Sequence, residues 1–245
     1  MATAIKIEKL KKVYDDVVAV DDLSLEIEEG ELFSLLGVNG AGKTTTIKML
    51  STLVKPTSGN AYILGESVLG DRDKIKKAVD VSMQETAIAR KLTVEENVLF
   101  YARLNGQSAE EAERSKREVF AAFGLENVKN KRADKLSGGV QRKLSIALAL
   151  VSSPKVLFLD EPTLGLDVIA RRELWKTITD LKGRMTVILT THYMEEAEAL
   201  SDRIGVMKDG KLLFVGTKEE MFAATDKTSV EDAFIEIVAG GEKNA

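Results

Sequence analysis

The sequence predicts an α/β fold: a mostly parallel sheet flanked by helices, with an antiparallel β lobe at the N-terminus and an inserted α-helical lobe. Residues 4–28 alternate polar and apolar side chains, as half-buried antiparallel strands do. Residues 32–83 and 156–216 alternate short apolar runs with helical spacing, which predicts parallel strands joined by right-handed crossovers. Residues 88–152 have helical spacing alone, which predicts a helical lobe inserted between two halves of the sheet.

The predicted strands are short and are bounded by turns or by helical segments. The N-terminal pair is AIKIEKL (4–10) and LSLEIE (23–28), and Gly30 ends the second strand. LFSLLG (32–37) is almost wholly apolar, which is typical of a strand covered on both faces. The remaining strands are NAYILG (60–65), VDVSM (79–83), VLFLD (156–160), TVILTT (186–191), RIGVM (203–207) and KLLFVG (211–216). We expect the last four, which follow Pro154, to be buried.

The helical lobe has recognisable helix starts. Thr93 followed by Glu96, and Ser108 followed by Glu111, are capping-box signatures. Ser137 is the expected cap of a third helix, whose apolar positions form a single stripe. These caps predict three helices within residues 88–152.

Composition limits the class of protein. The chain has 245 residues, no cysteine, a net charge of −4 and a pI of about 5.4, so it has no disulfide framework and no basic surface for nucleic acid. Its longest apolar runs are far shorter than a bilayer span, and its charged N-terminus is not a secretory signal. We expect one domain over residues 1–245, with a flexible tail at residues 239–245.

A phosphate-binding loop follows the first buried strand. GVNGAGKTT fits the P-loop pattern G-x-x-x-x-G-K-[ST] and opens a helix predicted from Lys43 to Leu53. Its glycines let backbone N–H groups converge on phosphate oxygens, Lys43 reaches the β and γ phosphates, and the Thr44 hydroxyl holds Mg²⁺. This pattern predicts a P-loop NTPase core that binds a nucleotide through Gly37, Asn39, Gly40, Ala41, Gly42, Lys43, Thr44 and Thr45, and the family resemblance given below implies that this nucleotide is ATP.

Three more functional side chains are expected at strand ends. VLFLDEP places Asp160 to bind Mg²⁺ and Glu161 to polarise an attacking water as a general base. His192, the one histidine in the chain, follows TVILTT. Because ligand sites of parallel sheets lie outside the carboxyl ends of the strands, we expect Glu161, His192 and Lys43 to form a catalytic group.

Taken together and in this order, GVNGAGKTT, LSGG and LFLDEPTLGLD make the chain similar to the ATPase subunit of ABC transporters over about residues 5–220. The resemblance implies that LSGG binds the γ phosphate of ATP held by a second ATP-binding subunit, identical or closely related. It also implies a transmembrane permease as partner and a location on the cytoplasmic face of the membrane. The residue roles that it implies are adenine stacking for Tyr14, Mg²⁺ contact for Gln84, γ-phosphate binding for Ser137, Gly138 and Gly139, communication across the dimer for Asp167, and a γ-phosphate switch for His192.

Two positions depart from the family pattern. Val140 replaces a frequent glutamine and Val38 a frequent proline, but the phosphate contacts use backbone amides and Ser137. The segment THYMEEAE (191–198) is similar to that of drug, antibiotic or ion exporters. The expected function is therefore ATP hydrolysis that powers export through a separate permease.

Three other classes of protein have some support in the sequence. A P-loop kinase does not require LSGG and should have an arginine-bearing lid. A GTPase is disfavoured because NKRAD is one residue too long for N-K-x-D. An ABC-type ATPase that acts on DNA or ribosomes rather than on a membrane partner stays open. Its chromosome-organising members contain long coiled coils and its translation-related members contain tandem domains, neither of which is evident here.

Overall fold

A computed structural model describes residues 2–242. Its strands are β1 (Thr3–Tyr14), β2 (Val17–Glu28), β3 (Leu32–Leu36), β4 (Ser58–Ile63), β5 (Glu66–Ser67), β6 (Val79–Ser82), β7 (Val156–Asp160), β8 (Thr186–Thr191), β9 (Arg203–Lys208) and β10 (Lys211–Gly216). Its helices are α1 (Lys43–Leu50), α2 (Arg72–Ala78), α3 (Val94–Leu104), α4 (Ala109–Phe123), α5 (Gly138–Leu150), α6 (Val168–Thr179), α7 (Met194–Leu200), α8 (Lys218–Thr225) and α9 (Val230–Glu242).

The strands form two sheets, which correspond to the predicted antiparallel β lobe and the predicted mostly parallel sheet. A four-stranded antiparallel sheet has the order β2-β1-β4-β5, and a six-stranded sheet has the order β10-β9-β3-β8-β7-β6. In the larger sheet, β3 lies parallel to both β8 and β9, and β7 lies parallel to both β6 and β8. Every residue of β3, β7 and β8 is buried, which explains their continuous apolar runs. The predicted fold class is confirmed.

Near the C-terminus, one sequence prediction needs correction and a second stays a prediction. We expected KLLFVG to be a buried strand, but β10 is a mostly half-buried edge strand, antiparallel to β9. An edge strand has a neighbour on one side only and keeps part of its surface accessible. The predicted flexible tail overlaps α9, which continues to Glu242, while residues 243–245 lie outside the described residues. Helix α9 is held to the sheet by Val230 and Phe234, which pack in one cluster with Leu36.

The helical lobe begins its helices at the predicted caps. Both capping boxes are present, with Thr93 before α3 and Ser108 before α4, and Ser137 caps α5. Apolar side chains of α3, α4 and α5 pack in a cluster that also includes Leu157 of β7 and Val187 of β8. Helix α5 therefore packs both against the other helices of the lobe and against the sheet that carries the predicted site.

Asp80 in β6 is a partly buried carboxylate that lowers stability at neutral pH. Burial raises its pKa from 3.8 to about 6, although the Val81 N–H and the Ser152 hydroxyl both donate hydrogen bonds to it. The folded state therefore holds this proton more tightly than the unfolded chain does. The free energy of unfolding is not reduced by Asp80 below about pH 4. It falls as the pH rises from about 4 to about 6, and above about pH 6 it is reduced by the full amount.

We expect Asp80→Asn to raise the free energy of unfolding at pH 8 by about 1 to 3 kcal/mol, because the amide keeps the shape and needs no ionisation. The gain at pH 5 should be roughly half as large. Urea denaturation at the two pH values measures both effects. Asp16→Asn, in an exposed turn, is the control and should change neither value. Equal stabilities of Asp80→Asn and wild type at pH 8 would contradict the prediction.

Candidate functional site

The carboxyl ends of four adjacent strands bring the predicted residues to one edge of the large sheet. Gly37 follows β3, Asp160 ends β7, His192 follows β8, and Gln84 lies two residues beyond β6. A cavity of about 430 Å³ opens at this edge. It is lined by Ala19, Asn39, Gly40, Ala41, Gly42, Lys43, Thr44, Thr45, Gln84, Glu161, Leu164 and His192. Ten of these twelve residues are among the predicted site residues, and Ala19 and Leu164 are the two that sequence reasoning missed.

The P-loop wraps tightly at the start of α1. Gly42 has a φ of 100°, and a side chain there would place its Cβ 2.4 Å from the carbonyl oxygen of Ala19. Only glycine fits such a position, and it brings the first turn of α1 to the cavity. The free N–H groups and the dipole of a helix N-terminus favour anions. The loop is therefore built to hold phosphate.

Lys43 lies almost fully buried beneath the loop. Its Nζ donates to the carbonyl oxygens of Gly37 at 2.7 Å and Val38 at 3.1 Å, and lies 3.4 Å from Oε1 of Glu161. Burial lowers the pKa of Lys43, while the neighbouring Glu161 carboxylate opposes that shift. The cation is thus held at the phosphate end of the cavity.

Oxygen atoms suited to Mg²⁺ meet where the P-loop faces β7. The Thr44 hydroxyl donates to both carboxylate oxygens of Asp160, at 2.9 and 3.0 Å, and Thr190 donates to Oδ1 at 2.6 Å. Gln84 lines the same cavity. Among the residues that the structure describes, no three His, Cys, Asp or Glu side chains form a metal-binding group. Mg²⁺ is commonly held by one or two carboxylates together with substrate phosphates, so this donor set fits it.

Glu161 is held in an unusual conformation next to His192. Its φ is 47°, in the left-handed region that costs a non-glycine residue about 1 kcal/mol or more. Hydrogen bonds from its N–H to the backbone and hydroxyl oxygens of Thr190, both at 3.1 Å, help to maintain this conformation. Its Oε2 lies 2.8 Å from Nδ1 of His192. A buried carboxylate thus faces the cavity between a histidine and Lys43.

Several predicted residues lie elsewhere. Of the residues that the structure describes, neither Tyr14 nor the signature turn (residues 137–139) is among those lining the cavity. Ser137 is exposed and accepts a hydrogen bond from the Val140 N–H as the cap of α5. Tyr14 lies at the end of β1, 40% exposed, with Lys12 over its ring. Asp167 caps α6 by accepting hydrogen bonds from two backbone N–H groups.

Comparison with known proteins identifies relatives of this chain. A family model described as ABC transporter matches residues 20–164. The phospholipid-transporting ATPase ABCA3 of Homo sapiens is 44% identical over 221 residues, which cover 89% of this chain. The chain spans only 13% of the length of that relative.

Solved structures share the fold over almost the whole chain. The ATP-binding subunit of an ABC transporter superposes with a TM-score of 0.86 at 26% identity and covers 96% of this chain and 100% of that one. A dimeric ATP-binding cassette in a post-hydrolysis state, bound to ADP and Pi, superposes with a TM-score of 0.77 at 28% identity. That similarity covers 87% of this chain and 98% of the other. None of the helices described within residues 2–242 has the length and apolar composition of a transmembrane span.

Proposed function

Since the chain belongs to the ABC transporter family of ATPases, we propose that ATP hydrolysis at this site powers export of a substrate through a transmembrane partner. The observation that carries the proposal is the buried Glu161 carboxylate, held between His192 and Lys43 at the mouth of a P-loop. A site that only bound nucleotide would not need a base at this position. In this proposal the chain lies on the cytoplasmic side of the membrane, attached through its partner.

The nucleotide phosphates are held by the P-loop. Backbone N–H groups of residues 39–45 surround the phosphates, and Lys43 exchanges its carbonyl partners for β and γ oxygens. Thr44 and Asp160 would hold Mg²⁺, and Gln84 would contribute from the end of β6. When bound, this ion would supply charge neutralisation for the phosphates. Tyr14 is proposed to stack on the adenine from the end of β1.

Glu161 and His192 act on the attacking water. Glu161 accepts the proton of the water as its oxygen attacks the γ phosphorus, and the bond from that phosphorus to the leaving ADP breaks. His192 keeps the carboxylate oriented through the 2.8 Å contact at Nδ1, which leaves its Nε2 able to contact the γ phosphate. His192 is thus proposed to link the base to the γ phosphate.

The signature turn is proposed to complete the site of a second ATP-binding subunit. Ser137 and Gly138 are exposed and are not among the residues lining the cavity of their own chain. Val168 and Ile169, which follow Asp167, are 65% and 74% exposed and supply apolar area for a dimer contact. The dimeric arrangement of the solved cassette supports the same proposal.

The function is tested by asking which macromolecule stimulates the ATPase. We expect stimulation by the transmembrane partner in vesicles, and none by DNA or ribosomes. Stimulation by ribosomes or DNA alone would instead support the ATPase class that acts on a non-membrane partner. Drugs, antibiotics and ions are the cargo classes suggested by the sequence, and the name of the ABCA3 relative adds phospholipids.

Phe100 is the proposed anchor for the transmembrane partner. The family resemblance implies that the surface around residues 84–101 receives a helix of the membrane subunit, with Ile88, Leu92 or Phe100 as the anchor. Ile88 and Leu92 are half-buried and Ile88 packs against the core, whereas Phe100 is 46% exposed on α3. We expect Phe100→Glu to reduce transport and partner-stimulated ATPase at least tenfold, because a charge cannot enter an apolar contact, while basal ATPase stays unchanged. Transport assays in vesicles containing the complete transporter measure this.

Ile235→Glu is the control for the docking prediction, since Ile235 is 57% exposed on α9. It should leave transport and basal ATPase unchanged. Loss of folding in Phe100→Glu would instead show that Phe100 packs the helical lobe, and normal transport would exclude Phe100 as the anchor.

A further inference from the structure

Arg142, on α5, donates hydrogen bonds to the two turns that carry the proposed site. Its side chain is only 4% exposed, and Nε donates to the Pro162 carbonyl oxygen at 2.9 Å and Nη2 to that of Asp160 at 2.8 Å. Its Nη1 donates to the carbonyl oxygens of Met83 and Gln84. One guanidinium thus joins the end of β6 to the end of β7.

The charge on this buried side chain is unusual. None of the hydrogen bonds described for Arg142 goes to a carboxylate. Burial lowers its pKa to about 10, and the nearby carboxylates of Asp160, Glu196 and Glu161 oppose that shift, so the cation persists at neutral pH. Burying an ion costs free energy that an apolar side chain of similar size would not cost.

Arginine is suited to this position by its shape. Its guanidinium presents five N–H donors in one plane, which can reach carbonyl groups on two separate turns. A lysine has one nitrogen and could bridge fewer of them. Asp160 and Pro162 flank Glu161 in one turn and the other turn includes Gln84, so the separation of the two turns sets where base and metal ligand lie.

We propose that Arg142 is a positioning residue for hydrolysis, which holds the turn containing Gln84 and the turn containing Glu161 in register within its own chain. It touches neither nucleotide nor water. Because small displacements of reacting groups cost about ten- to hundredfold in rate, loss of these bonds slows hydrolysis more than it weakens binding. This inference rests on the proposed role of Glu161 as base.

The first test compares Arg142→Lys and Arg142→Met with Lys143→Met, a cation on the same helix that pairs with the exposed Glu173. We expect Arg142→Lys to lower kcat about tenfold and Arg142→Met more, with one nucleotide still bound per chain and nucleotide Kd within about threefold. Lys143→Met should stay near wild type. If Arg142→Met does not fold, Arg142→Lys carries the test.

Three results would overturn the proposal. They are an unchanged kcat in Arg142→Lys, a bound-nucleotide stoichiometry that falls in step with kcat, and an equal loss in Lys143→Met. A Glu161→Gln variant in the same assay separates this outcome from failure of the proposed function, because wild-type turnover in Glu161→Gln would refute the base whatever Arg142 does.

A second test locates the effect within a dimer. A mixed dimer of a Lys43→Ala chain and a Ser137→Arg chain has one intact site, formed by the P-loop of the Ser137→Arg chain and the signature turn of the other. Arg142→Lys should lower that activity at least fivefold more when it is added to the chain supplying the P-loop. Equal losses in the two placements would show a general structural defect and overturn the proposal. If mixing the Lys43→Ala and Ser137→Arg chains restores no activity, the proposed composite site is wrong. The kcat of Arg142→Lys in the first test then decides whether Arg142 is a positioning residue.

Discussion

Replacing Glu161 with glutamine is expected to slow ATP hydrolysis by roughly 100- to 1000-fold. Glutamine has the same size and can keep the contact with His192, so the shape of the site is preserved. It lacks the basic carboxylate that would accept the proton of water. ATP affinity should stay within a few-fold of wild type, because the phosphate contacts come from the P-loop. Phosphate release and equilibrium nucleotide binding, measured separately, test the two halves of this prediction.

The matched control is Glu195→Gln, which neutralises an exposed carboxylate in the first turn of α7, three residues from His192. It should hydrolyse ATP at close to the wild-type rate. Wild-type turnover in Glu161→Gln would mean that another group activates the water. A parallel loss of turnover and binding would mean that Glu161 maintains the structure of the cavity.

Replacing Ser137 with arginine is expected to leave almost no ATPase activity, although Ser137 does not line the cavity of its own chain. If each ATP is held between the Lys43 of one chain and the signature turn of the other, a bulky side chain at position 137 blocks both sites of a two-fold dimer. Lys43→Ala should also be inactive, but through weakened nucleotide binding. ATPase rates over a range of protein concentrations measure both.

Mixing the two inactive variants is the sharper form of this experiment. With random pairing and independent sites, half of the dimers have one intact site, and activity should return to roughly a quarter of wild type. Coupling between the sites lowers that yield, as does a natural partner of different sequence. An unimpaired rate in Ser137→Arg alone would exclude the composite site.

The local features of the site were predictable because each depends on residues close together in the chain. The P-loop sets its own conformation through Gly42, whose φ of 100° suits glycine, and through a helix that begins at Lys43. The capping boxes at Thr93 and Ser108 are likewise hydrogen bonds across three residues. Hydrophobic patterning predicted β3, β7 and β8 correctly, since strands buried on both faces need continuous apolar runs.

Only the tertiary structure decided which distant groups meet. Arg142 reaches the Met83 carbonyl 59 residues away, and Glu161 reaches His192 across 31 residues. The first contact was not predicted, and the second gives the geometry of a group that the strand ends already predicted; both depend on the strand order β10-β9-β3-β8-β7-β6, which hydrophobic patterning does not specify. The same order leaves β10 at the edge of the sheet. A pattern of apolar residues predicts how many faces of a strand or helix are covered. Which elements lie next to that strand or helix is fixed by the packing of the whole chain.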